Sequence, residues 1–287
     1  MGTLKFRPVL FFYILPAFLV YTAFFVIPFG HTLTYSFFEW DGFNTPKFTG
    51  FNNYIEMFHD QVFVNGLWKV LLWAVLAVIF KVGTSLVLAN LLRERIFGYN
   101  LFRSCFFIPA VISSSALCLM FTLIYDKDIG LVNLFLKTIG LTPLTRSWLS
   151  DPHTAFLAVI AVPIFQGIGF FFLIILAALG DIPEDLYEAA EIDGAGAWTI
   201  FWKMTLPMLW SVLQGCIILA VTSSLKSFDY IFIMTGGGPG TTTEVPATQM
   251  YKTIFSGLQY GYGSSMAVVI FLFCLIISVA TKKMQSA

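Results

Sequence analysis

Residues 154–180 read TAFLAVIAVPIFQGIGFFFLIILAALG, 27 residues without one Asp, Glu, Lys or Arg. As an α-helix rising 1.5 Å per residue this stretch is about 40 Å long, longer than the roughly 30 Å hydrocarbon core of a bilayer. It therefore predicts a membrane-crossing helix. Working outward, similar apolar runs occur at 8–30, 67–92, 104–125, 207–228 and 264–281. The connectors 31–66, 93–103, 126–153, 181–206 and 229–263 collect the polar residues, glycines and prolines. The expected fold is all-α, a polytopic membrane protein with about six transmembrane helices in a single domain, 1–287.

Composition agrees. Of 287 residues, 58% are hydrophobic and 11% charged, with mean hydropathy +0.83, whereas about a quarter of a soluble domain is charged. Too few charges remain to coat a water-facing surface. A net charge of zero and a pI near 6.8 give no electrostatic reason to expect nucleic acid as a partner. Cys105, Cys118, Cys216 and Cys274 lie in apolar stretches without a CxxC pair and read as small buried apolar residues. His31, His59 and His153 are isolated, so no histidine metal site is expected. Lys5 and Arg7 before an apolar run resemble the opening of a signal peptide. The run 8–30 is too long for a cleaved signal core, and a retained helix is expected. Gly2 does not predict myristoylation, because Phe6 stands where that motif wants Ser or Thr.

Orientation follows from Lys and Arg in short loops. With both termini inside, Lys5, Arg7, Arg93, Arg95, Arg103, Lys203, Lys282 and Lys283 are cytoplasmic, against Lys47, Lys127, Lys137, Arg146 and Lys252 outside. Three further lysines fall within or near spans, where an ionisable group needs a cavity, a partner or the interface. Lys69 is placed to snorkel from a helix end and Lys226 near the outer end of the fifth helix. Lys81 is deeper, and a structural pairing and a function are equally open for it.

Between the fourth and fifth helices the chain reads DIPEDLYEAAEIDGAGAWTIFWKMTLP over 181–207. Asp181 is the expected N-cap, with Pro183 in the first turn and Glu184 closing a capping box. Gly194 is the expected helix stop. Six acids, Asp181, Glu184, Asp185, Glu188, Glu191 and Asp193, face one lysine. A solvated helix with acids at its N-terminal end would account for them through the helix dipole. So would a docking helix, with Ala189, Ala190, Gly194, Ala195 and Gly196 small enough to enter a partner's groove. Composition leaves the two open.

The residues Glu188-Ala189-Ala190, Asp193-Gly194-Ala195, Phe201 and Leu206-Pro207 closely resemble the EAA loop of ABC importer permeases. Trp40-Asp41-Gly42, Pro46-Lys47-Phe48, Phe102-Arg103, the stretch 130–133, 235–239 and 251–255 resemble the carbohydrate-uptake, maltose-permease-like and binding-protein-dependent subgroup. The resemblance implies the type I importer permease fold. It also implies a coupling helix within 181–206 that docks in a cleft of a cytoplasmic ATPase through Glu188, Ala189, Ala190, Asp193, Gly194 and Ala195. The implied partners are a second homologous permease subunit, two ATPase subunits that hold ATP and Mg, and an extracytoplasmic solute-binding protein. The implied location is the bacterial cytoplasmic (inner) membrane.

The run 236–240, GGGPG, lacks the GxxxxGK[ST] pattern, so no ATP site and no cofactor are expected on this chain, and the run reads as an external turn. No paired acids, activated nucleophile or metal-ligand cluster stands at a catalytic spacing, and no enzymatic activity is expected. Sugars need hydrogen-bonding groups and flat apolar surfaces. Both occur in 165–171 and 223–228, although Gly and Ser also serve close helix packing. Alignment on the resemblance places Gln166, Gly167, Phe170, Ser224 and Ser227 at the carbohydrate pocket, with serines where the maltose pattern has asparagines. An ion-coupled secondary transporter is the alternative. It would need membrane-embedded acids, for which Asp229 is the nearest candidate. A membrane-embedded enzyme lacks a catalytic cluster.

Overall fold

The computed structural model describes residues 8–93 and 98–283. Lys5, Arg7 and Arg95, used above for orientation, lie outside them. The regular structure among the described residues is helical apart from one two-stranded ribbon, in which Phe38–Glu39 pairs antiparallel with Lys47–Phe48. Four continuous helices are long and apolar enough to cross a membrane: Phe12–Tyr35, Gln61–Leu91, Ala155–Gly180 and Tyr260–Thr281. Two bent pairs, Tyr99–Val111 with Ser114–Ile124 and Ala197–Met208 with Trp210–Leu225, raise the number to six when each pair counts as one span.

The chain divides into two compact units, residues 1–61 with 250–272 and residues 62–249 with 273–287. In the first, Asn53 donates through Nδ2 to the carbonyls of Ser36 (2.9 Å) and Phe38 (3.0 Å), and Tyr54 donates to Ser36 Oγ at 2.7 Å. Those bonds tie the ribbon to the helix Asn52–His59. Phe29 packs at a tilt against Phe271 with centroids 4.6 Å apart, and Trp40 likewise against Tyr260 at 5.7 Å. Asp41 accepts from the backbone amides of Asn44 and Phe43, which hold its carboxyl below the usual carboxylate range.

The second unit is organised around Ala155–Gly180, the stretch that opened the sequence reading, predicted within one residue at its start. Its N-terminal half packs Val159, Ile160 and Val162 in one cluster with Trp73, Leu117 and Val221. Its C-terminal half packs Phe171, Phe172 and Ile175 in one cluster with Ala89, Leu209 and Leu213. Gly169 permits the closest approach: a β-carbon there would lie 2.0 Å from the Phe106 carbonyl oxygen. Small residues at such crossings are what let membrane helices pack tightly.

Two predicted spans require correction. The run 104–125 is two helices bent by 98°. Ile112 and Ser113 are extended, and the Ser113 hydroxyl caps the second helix by accepting from the Ala116 amide. The carbonyl of Ile112 is satisfied from elsewhere, by Gln166 Nε2 at 2.7 Å. The run 207–228 does not start at Pro207 either. Helix precedes it from Ala197, bends by 71° around the buried Leu209, and continues as Trp210–Leu225. Proline lacks the amide that would bond one turn back, which weakens the helix where it bends.

Smaller corrections follow the same chemistry. Asp181 ends the helix Ala155–Gly180 instead of starting the next one; Pro183 is the N-cap of Glu184–Ile192, with no side-chain cap. Cys105 is exposed and Cys274 half-buried, while Cys118 and Cys216 are buried as expected. Lys69 is not simply a snorkelling group: its ammonium donates to the carbonyls of Thr241 (2.7 Å) and Glu244 (3.4 Å), pinning the glycine-rich turn. Within that turn Gly236, Gly237 and Gly240 have positive φ, as the run of glycines predicts.

Candidate functional site

Within the second unit, a cavity of about 540 Å³ opens between Gln61–Leu91, Ala155–Gly180 and the C-terminal end of Trp210–Leu225. Gln166, Gly167, Phe170, Ser224 and Ser227, picked out in the sequence from two distant segments, all lie on its wall. Phe170 is exposed and offers a flat face, while Ser224 is almost fully buried. Ser224 donates to the Ala220 carbonyl and Ser227 to the Ser223 carbonyl, each at 2.9 Å and one helical turn back. Their hydroxyl protons are thereby used, and their lone pairs remain as acceptors.

Gln166 has a second occupation. Its Nε2 donates to Ile112, and its Oε1 accepts from Tyr230, whose hydroxyl also reaches Ser114. One amide therefore joins three segments around the cavity. Tyr230, Trp73, Ser223 and Phe228 line the same space and were not singled out individually from the sequence. Tyr230 lies beyond the predicted end of the fifth helix, in the short helix Asp229–Met234, and only the fold brings it back to Gln166.

Lys81 lines the cavity too, in the widened π-helical turn Ala77–Val82. Such turns occur often at functional sites. It is 6% exposed, and an ionised side chain at this depth costs roughly 3 kcal/mol on insertion scales. Close by, Ser85 donates to the Ile168 carbonyl at 2.8 Å, fixing its helix against Ala155–Gly180.

The loop 181–206 forms the helix Glu184–Ile192 and a following turn. Gly194 has φ +81°; its amide donates to Glu191 and that of Ala195 to Ala190, the paired bonds of a Schellman end. Glu188, Ala189, Asp193 and Gly194 are exposed, Ala190 and Ala195 half-buried. One residue anchors the helix: Tyr187, 6% exposed, lies under the Arg93 guanidinium at 3.8 Å and bonds Thr205 Oγ1 at 3.3 Å. Ile192 (86% exposed) and Trp198 (74% exposed, its ring against that of Trp202 at 5.7 Å) are apolar groups of this loop not singled out from the sequence.

A third polar cluster holds the segment 126–151. Asn133, 1% exposed, donates to the carbonyls of Lys127 and Arg146 and accepts from Trp148 Nε1 at 2.9 Å. Asp126 accepts from the amides of Ile129 and Asp128, which hold its carboxyl below the usual range.

Four to six apolar spans, a cavity among the helices of the second unit and an exposed loop helix are the features of a membrane permease. Residues 81–285 match the family described as binding-protein-dependent transport system inner membrane component, and the chain belongs to that family. It is 37% identical over 274 residues to the probable ABC transporter permease protein YurN of Bacillus subtilis, covering 94% of each chain. It is 31% identical over 264 residues to the multiple sugar-binding transport system permease protein MsmF of Streptococcus mutans, covering 92% of this chain and 90% of that one. Its fold is also that of a chain in the crystal structure of a bacterial ABC transporter involved in the import of the acidic polysaccharide alginate. There the TM-score is 0.83 at 22% identity, over 96% of this chain and 94% of that one.

Proposed function

We propose that this chain is the permease subunit of an ATP-driven importer for a sugar or related polyol, forming half of the translocation path. The cavity beside Gly167 holds the cargo in transit, with Gln166, Phe170, Ser224 and Ser227 on its wall. The helix Glu184–Ile192 docks the cytoplasmic ATPase through Glu188, Ala189, Ala190, Asp193, Gly194 and Ala195. The observation that carries this reading is the convergence of residues 166–170 and 224–227 on one cavity, while the loop helix leaves Ala189, Gly194 and Ile192 exposed. Relatives named as sugar permeases, among them MsmF and the trehalose/maltose transport system permease protein MalF of Thermococcus litoralis, support the cargo class.

The remaining parts of the machine are a second permease subunit, two ATPase subunits that carry ATP and Mg, and an extracytoplasmic solute-binding protein. The chain itself performs no chemistry. It sits in the bacterial cytoplasmic membrane with both termini on the cytoplasmic side. Ser227→Leu places a bulky apolar group at a half-buried cavity position and is expected to lower ATP-dependent uptake at least tenfold, with assembly intact. Wild-type uptake kinetics in that variant, assayed in cells, would remove the cavity from the transport path.

A further inference from the structure

The cavity holds more than a neutral sugar requires. Hydroxyls are served by neutral donors and acceptors, and the wall supplies them from Gln166, Ser223 and Ser227. Yet one of its buried polar side chains is an ammonium, that of Lys81. Lys81 makes no side-chain hydrogen bond or ion pair among the described residues, and only the Phe171 ring faces its Nζ, at 5.8 Å. The charged residues of the wall are Lys81, Lys226 and Asp229, two cations against one carboxylate. An ionisable side chain this deep in a span persists where it meets a counter-charge or a cavity ligand.

Gly167 belongs to the same arrangement. A β-carbon on Gly167 would lie 2.5 Å from Lys81 Cε and 3.0 Å from its Nζ, so the absence of a side chain there is what lets the lysine lie along the wall. Lysine and glycine on two different helices keep one cation at the cavity face.

We propose that the cavity reads a negative charge on its cargo, with Lys81 as the group that pairs with it. The imported compound is an acidic carbohydrate, bearing a carboxylate, sulfonate or phosphate. A point charge of this kind suits any of the three, since lysine recognises anions without the two-pronged geometry of arginine. The proposal rests on the importer reading above and narrows its cargo.

The test uses the complete transporter in proteoliposomes with its solute-binding protein. The compound released by denaturing that binding protein is identified by mass spectrometry and then serves as the uptake probe. It is expected to carry an acidic group. Lys81→Met, which keeps the shape of the side chain and removes its charge, is expected to lower uptake at least tenfold, and Lys81→Arg to retain most of it. Gly167→Ala, whose methyl group displaces the lysine stem, is expected to lower uptake at least fivefold. It also covers the case in which the methionine variant fails to assemble.

A neutral compound overturns the proposal while leaving the importer reading standing, provided the wild type takes it up with ATP. So does an acidic compound carried at the wild-type rate by Lys81→Met, or by Gly167→Ala. Loss of uptake in Lys81→Arg as deep as in Lys81→Met also overturns it, because geometry and not charge would then be what the cavity needs. Absence of ATP-dependent uptake in the wild type brings down both readings.

Discussion

Gly194 shows how much of the loop rests on one backbone angle. At φ +81° a side chain meets strain of about 1–2 kcal/mol, yet nothing lies within 4 Å of the position a β-carbon would take. Gly194→Leu is therefore expected to leave the spans inserted, loosen the end of Glu184–Ile192 and lower ATPase recruitment at least tenfold in a pull-down. Glu188→Ala, at an exposed position, should cost much less, since exposed ion pairs contribute little. Wild-type recruitment by Gly194→Leu would detach this loop from the ATPase. Glycine at this place is legible in sequence because a left-handed helix end has few chemical solutions. The cap at the other end was not, because Asp181 and Pro183 both suit a helix start and the chain uses the second. Asp126 carries a pH dependence of definite sign. Its carboxyl lies below its unfolded value, so its contribution is present above about pH 4 and is lost as pH falls through the lower folded value. Asp126→Ala should expose the Asp128 and Ile129 amides to hydrogen exchange at neutral pH, as acid does in the wild type; unchanged exchange would contradict it.

At the scale of elements, apolar length identified every crossing segment, and it concealed both bends. A run such as 104–125 has the same composition whether it is straight or folded back by 98°. What decides between them is a hydrogen bond from another helix, Gln166 to the Ile112 carbonyl, which no local pattern announces. Gln166→Leu removes the donor to that carbonyl and leaves the Tyr230 hydroxyl with Ser114 alone. A hydrogen bond contributes about 1 kcal/mol net, so loss of this tie between segments should lower the thermal midpoint of the purified transporter whether or not cargo is present. A normal midpoint with impaired uptake would instead make Gln166 a cargo ligand alone. The cavity was half legible for the same reason. Gln166 and the serines sit on recognisable segments, whereas Tyr230 and the role of Lys81 depend on how three helices meet.

For the whole molecule, the side of the membrane that each loop occupies is the property that sequence charge addresses most directly. In a variant with Cys105, Cys118, Cys216 and Cys274 replaced, a cysteine at Thr142 should react with an impermeant thiol reagent applied to intact cells, and one at Glu184 should not. Both positions are exposed, so access and not burial decides the outcome. Labelling at 184 from outside would invert the topology. The 71° elbow at Leu209 gives the same molecule a lever. From Trp210 to Ser224 the helix is about 21 Å long at 1.5 Å per residue. A turn of only about 10° at that elbow would sweep Ser224 sideways by about 4 Å, a displacement comparable to the width of a sugar ring.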